Sequence, residues 1–324
     1  MLSRRQFTAI SLATASAPMI LSRAAKARTQ DVGGVFEWSA IGKNAHLASG
    51  GGGNVLYVPG EGGAMLIDTK NAGLADTLRR EAESRGGAVT TVINTHHHAD
   101  HTGGNYAFGV GVETVAYHRA TKRIEGQMDR YTGGLRNTIQ SGATDDVKRE
   151  AETRLAEIES LGDAWLPTRS ITRRQDVMNI GGRQLVAHHI NAGHTDNDLI
   201  LHLPDENLVH FGDLIFNEMH PYCDASAGVS IGGWIRSLKA GMLIANAKSI
   251  VVPGHGPVTD RAGIQRQIDY FEQLIEAVTA EIAKGTERDA LTEMHFAFMD
   301  GLSFDRIKPL AIGVAYDELI AKKR

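Results

Sequence analysis

Residues 93–105 read Ile-Asn-Thr-His-His-His-Ala-Asp-His-Thr-Gly-Gly-Asn, which places four histidines and one aspartate within six positions. The run Ala88 to Asn94 before it is apolar and β-branched, and it reads as a buried strand ending at Thr95. On an extended or loop backbone alternate side chains share a side, so His96 and His98 point together while His97 points away. Asp100 and His101 follow at the turn into the next helix, where the chain reverses and they can address a second ion. Neither pair completes a four- or five-coordinate metal site. The fold must therefore bring further donors to this turn from distant parts of the chain. That requirement constrains the architecture more than any other feature.

Three places qualify as suppliers. Ala192-Gly193-His194-Thr195, Phe211-Gly212-Asp213 and Pro253-Gly254-His255-Gly256 each set a His or Asp in a Gly-containing turn beside an apolar strand. Glycine next to a ligand lets the backbone turn sharply and approach an ion closely. Imidazole with carboxylate suits zinc, because imidazole is a borderline ligand and the carboxylate offsets the ion's charge. Cys223 is the only cysteine, so neither an internal disulfide nor a four-cysteine zinc site can form.

The rest of the chain reads as alternating strands and helices. Asn54–Val58, Ala64–Asp68 and Glu113–Tyr117 are expected strands, with a helix over Asn71–Ser84. The polar segment that follows Tyr117, through Gly162, is expected to be helical in part, with a weak stripe of Val147, Ala151, Leu155 and Ile158. Arg183–His189, Leu199–Leu203, Leu208–Phe211 and Ser249–Val252 read as further strands. Ile264, Ile268, Phe271, Ile275, Val278 and Ile282 mark the apolar face of one long helix, which is core packing. Strands followed by helix, twice over, fit a sheet-on-sheet sandwich with helices outside.

The order H-x-H-x-D-H, then a distant His, an Asp and a His, resembles the metallo-β-lactamase superfamily over roughly residues 40–275. The resemblance implies an α+β fold, an αββα sandwich of two β-sheets flanked by helices, here over residues 35–324. It also implies that His96, His98 and His194 hold one metal ion. Asp100, His101 and His255 would hold a second, with Asp213 as the bridge. Two zinc ions per chain are expected, with iron or manganese as alternatives. Such a pair shares a hydroxide made available near neutral pH, and Asp100 would serve catalysis by orienting it or shuttling a proton.

Other polar residues in these segments invite blander readings. His97 is expected to play a structural part, and His118, His188 and His189 to pack or hydrogen-bond within strands. Asp196 and Asp198 either hydrogen-bond ligand imidazoles or shape a turn. Cys223 reads as a packed small residue. His220 and Tyr222, in the loop after Asp213, are the candidates for substrate contact.

At the N-terminus, Ser3-Arg4-Arg5-Gln6-Phe7, a mildly apolar stretch and Ala25-Lys26-Ala27 resemble a twin-arginine export signal, expected over residues 1–27. The apolar stretch is too short and too rich in Ala, Ser and Thr to span a bilayer well. Cleavage would remove four basic residues and no acids, shifting the net charge from −4 to −8. An acidic, exported chain is a poor partner for nucleic acid. The expected location is periplasmic or secreted, with the export machinery and a small-molecule substrate as partners and no stable membrane span after cleavage.

Substrate is not set by fold and metal site alone. Zinc β-lactamases of this kind usually carry Cys or a non-ligand where this chain has Asp213, whereas glyoxalase II-like thioesterases and lactonases carry the bridging Asp. The expected reaction is therefore hydrolysis of a small ester, thioester, lactone or amide. A zinc β-lactamase and an iron-dependent redox or sulfur-metabolism protein are the alternative readings. Residues 285–324 offer no basic or Tyr-rich cluster of the kind that grips glutathione.

Overall fold

Twelve strands form two sheets in residues 35–109 and 111–322, the described part of this computed structural model. The expected export signal lies outside the described residues. In the first sheet β1 (Glu37–Ile41), β2 (Ala45–Ser49), β3 (Val55–Val58), β4 (Ala64–Ile67), β5 (Val89–Ile93), β6 (Glu113–Tyr117) and β7 (Arg169–Ile171) lie in sequence order. Pairing is antiparallel from β1 to β4 and parallel from β4 to β7. The second sheet runs β12 (Ile250–Val252), β11 (Leu208–His210), β10 (Ile200–Leu203), β9 (Arg183–His188) and β8 (Gln175–Ile180).

Alternation along the strands decides what lies between the sheets. In β3, Leu56 and Val58 face the second sheet and join Met65, Ile67, Ile93, Leu185, Leu201 and Val252 in the central core. Val55 and Tyr57 of the same strand turn outward, onto Leu78 and Ala82 of helix α1 (Ala75–Glu83). β5 opens at its end into the short helix α2 (Ala99–Thr102). Helices α3 (Ala120–Gln140) and α4 (Asp145–Leu161) pack on each other between β6 and β7. The outer face of the second sheet is covered by α5 (Ile231–Ile244), α6 (Arg261–Ala283), the short α7 (Arg288–Thr292) and α8 (Lys308–Ala321). The layers are helix, sheet, sheet and helix, the αββα sandwich expected from the sequence.

Most expected elements appear within a residue or two of their sequence limits. The helix expected over Asn71–Ser84 is divided, with a 3-10 turn at Ala72–Leu74 before α1. The stripe on α6 is buried at Ile264, Ile268, Phe271 and Val278 and partly buried at Ile275 and Ile282. On α4 the stripe is poorer: Ala151 and Ile158 are buried, but Val147 is 46% exposed. Among the described residues no helix is long and apolar enough to cross a membrane.

Candidate metal centre

Five turns at one end of the sandwich carry the candidate donors. His96 and His98 lie in the turn after β5, and Asp100 and His101 in α2. His194 sits between β9 and β10, Asp213 in the 3-10 turn after β11, and His255 in the turn after β12. The approach of the last two turns depends on Gly254, where an added Cβ would stand 1.9 Å from Asp213 Oδ1.

The seven residues form two groups, His96, His98, His194 and Asp213 in one and Asp100, His101 and His255 in the other, with donor atoms inside each group within 4.8 Å of one another. His98 Nδ1 lies 3.1 Å from His96 Nε2 and 2.9 Å from His194 Nε2. Asp213 stands between the groups. Its Oδ2 is 3.4 Å from His194 Nε2 and 3.3 Å from His255 Nε2, while its Oδ1 is 3.1 Å from His101 Nε2. Asp100 Oδ2 closes the second group, 3.2 Å from His255 Nε2.

The outer nitrogens of these rings are engaged elsewhere, which decides what faces inward. His194 Nδ1 donates to the carbonyl of Tyr222 at 2.9 Å. Asp68 Oδ2 accepts from His101 Nδ1 at 2.8 Å and from the Thr95 hydroxyl at 2.7 Å, and that hydroxyl in turn accepts from His96 Nδ1 at 3.0 Å. The Nε2 atoms of His96, His101 and His194 therefore point into the cluster. Nitrogen lone pairs at about 3 Å repel unless a proton or a cation lies among them. Buried Asp213 Oδ1 also lacks a hydrogen bond of its own. Imidazoles and carboxylates arranged this way are the donor chemistry of zinc and similar divalent ions, and the residues fit such ions.

Charge is distributed unequally between the groups. Burial, reinforced by neighbouring His101, holds His96 well below its usual range, and burial holds His194 down at about 3. In the second group burial opposes the charged form, but Asp213 and Asp100 outweigh it. His101 is raised well above its usual value and His255 to about 9. Burial also opposes ionisation of Asp213, yet His255, His101 and His96 together hold its carboxyl well below the ordinary range. Solvent reaches the cluster on one side only. His96, His101 and His194 are enclosed, whereas the side chains of His98, His255 and Asp100 are 14%, 20% and 30% exposed.

Tyr222 borders this opening, with its ring 5.9 Å from that of His98. His220 does not. Its side chain is buried, with Nδ1 3.2 Å from the Tyr270 hydroxyl and Nε2 3.3 Å from Asp305. His97 Nδ1 accepts from Asn197 at 3.0 Å, outside the cluster. His189 stacks on Tyr117 at 3.9 Å, where His118 also packs, and His188 is half-buried in β9. Asp198 accepts from the amide and hydroxyl of Thr195 and shapes the turn of His194, while Asp196 pairs with Arg123 at 2.7 Å. Cys223 is buried in the outer core.

Several supporting residues were not singled out from the sequence. Asp68 serves both donor groups, and Asp224 stands 3.5 Å from His98 Nε2. Arg123 of α3 ties the Asp196 turn to the Ser226 carbonyl. Trp234 of α5 packs against His194. An aspartate at the end of a buried strand was the one available signal for Asp68.

A family model described as the metallo-beta-lactamase superfamily matches residues 48–255. The hydroxyacylglutathione hydrolase of Maricaulis maris is 24% identical over 165 residues, 51% of this chain and 47% of that protein. An acyl-coenzyme A thioesterase of Bos taurus is 27% identical over 180 residues, 52% of this chain and 60% of that protein. The chain spans about half the length of the curated relatives it matches. A solved metallo-beta-lactamase from Pontibacter korlensis shares the fold with a TM-score of 0.55 at 20% identity, over 73% of this chain and 99% of that one.

Proposed function

The chain belongs to the metallo-β-lactamase superfamily, and on that premise we propose that it is a dizinc hydrolase of a small ester, thioester, lactone or amide. The observation that carries the reading is the position of Asp213, whose two oxygens face donor nitrogens of both groups. His96, His98 and His194 would hold one ion, Asp100, His101 and His255 the other, and Asp213 both. When bound, such ions lower the pKa of water toward neutrality and polarise an acyl oxygen.

The chain's own residues account for the rest. Asp100, partly exposed at the opening, is held ionised by His101 and His255 against the effect of burial. It is placed to orient an attacking water and to take its proton. Burial, with Asp224 and Asp100 nearby, raises the phenol of Tyr222 and keeps it protonated. That phenol is a donor for a substrate oxygen at the rim. The names of the two relatives favour an acyl thioester within the proposed class. Export rests on residues 3–27 alone and is tested by cell fractionation.

Zinc-reconstituted protein should hydrolyse at least one of a panel of acyl thioesters, aryl esters, lactones and amides, with loss of turnover on chelation. Absence of turnover across the panel at saturating zinc would defeat the reading. Preferential turnover of β-lactams would change the substrate class and leave the metal assignment standing.

A further inference from the structure

Lys70 is fully buried, although an ammonium is among the most costly groups to remove from water. Its Nζ donates to the carbonyl of Ala48, at 2.9 Å, and to that of Gly53, and it lies 5.4 Å from the ring of Phe36. Those two carbonyls mark the two ends of the turn between β2 and β3, Ser49-Gly50-Gly51-Gly52-Gly53. The carboxylates of Asp100 and Asp68 are close enough to favour the charge.

What the turn touches gives this arrangement its meaning. A Cβ on Gly52 would stand 2.9 Å from Asp100 Cβ, and one on Gly53 would stand 2.1 Å from the His101 ring. The next residue, Asn54, donates its amide to Gly254 at 2.7 Å and its side chain to Pro253 and Gly256 at 3.0 and 2.9 Å, bracing the turn that carries His255. The glycine turn is thus seated against Asp100 and His101, and Asn54, directly after it, against the turn that carries His255. The first group is braced from elsewhere, by the Tyr222 carbonyl at His194 and by Thr95 at His96.

We propose that Lys70 is a positioning residue for the second metal ion, acting by fixing both ends of the glycine turn against Asp100, His101 and the His255 turn. The inference rests on the dizinc reading above and extends it, since it assigns the two ions separate supports. Removing the amino group that bonds the Ala48 and Gly53 carbonyls loosens the wall of one site and leaves the other in place.

The test is stepwise zinc binding by full-length protein, with affinities from chelator competition, for wild type and Lys70→Met. Supporting residues of metal ligands typically change affinity by about 10- to 100-fold. The variant should lose that much affinity for one ion and keep the other within a factor of about 3. Equal weakening of both ions, or of neither, overturns the role of Lys70. A wild type that never binds a second ion overturns the dizinc reading itself. Should the variant fail to fold, amide exchange in metal-free wild type decides. Asn54, whose amide donates to the Gly254 carbonyl, should exchange as slowly as β3, and free exchange there would refute a fixed turn.

Discussion

Asp68 Oδ2 lies 2.8 Å from His101 Nδ1 and 2.7 Å from the Thr95 hydroxyl that receives His96 Nδ1. A single carboxylate thereby orients one imidazole of each donor group. Asp68 Oδ1 also accepts from the Thr95 amide at 2.8 Å, and in Asp68→Asn the single acceptor oxygen cannot serve all three donors. We expect zinc affinity to fall by about 10- to 100-fold at both sites, unlike the one-site loss expected for Lys70→Met. Stepwise chelator competition on the two variants separates these outcomes, and an unchanged affinity in Asp68→Asn would remove Asp68 from the account.

Trp234 links the metal cluster to the outer core. Its ring packs 5.3 Å from His194 and 4.6 Å from Phe271, and its Nε1 donates to the carbonyl of Leu214 at 2.8 Å. Trp234→Ala should cost about 3–5 kcal/mol of stability. Trp234→Phe keeps most of the packing but leaves the Leu214 carbonyl unpaired, at about 1–3 kcal/mol. Urea unfolding of the metal-free proteins measures both, and equal losses would show that packing carries none of the difference.

Cys223 is 2% exposed, and burial pushes its thiol far above the usual range. The protonated, enclosed thiol should not react with a thiol reagent at pH 8 in the native protein. One equivalent should react after denaturation. Rapid native labelling would place Cys223 at the surface and contradict the packing of the loop beyond Asp213.

Burial lowers Lys70 from its ordinary value near 10.5 to about 7, against the pull of Asp100 and Asp68. Below about 7 the ammonium is present in the folded and the unfolded chain, and its full burial cost applies. Between about 7 and 10.5 the unfolded chain holds a proton that the folded chain has released, so this group makes stability rise with pH. In metal-free protein the stability difference between wild type and Lys70→Met should shift toward wild type across that window. A flat difference would contradict the shift.

The candidate donors were legible in the sequence because ligand chemistry needs particular residue types, and His194, Asp213 and His255 each stand next to a glycine. Their supports were not. Asp68 meets Thr95 because β4 and β5 pair in parallel with Ile67 opposite Ile93, a register that local pattern does not reveal. Lys70 follows the same strand and reads as an exposed charge until the turn at Gly50–Gly53 is folded over it. The α3–α4 hairpin was only partly readable, since its helices are polar on most faces and its stripe includes exposed Val147. His220 shows the converse limit of local pattern. Its position near Asp213 in sequence suggested the cleft, but residues 303–305 cover it on the far side, where its amide donates to Ser303 and its ring meets Asp305.

The central claim is that Asp213 joins two metal sites into one centre. Metal content of natively purified protein, measured by elemental analysis for wild type and Asp213→Ala, tests it most directly. About two zinc ions per chain, falling toward one or fewer in the variant, is the predicted result. A single iron per chain that is indifferent to Asp213, or no bound metal in wild type, would contradict it.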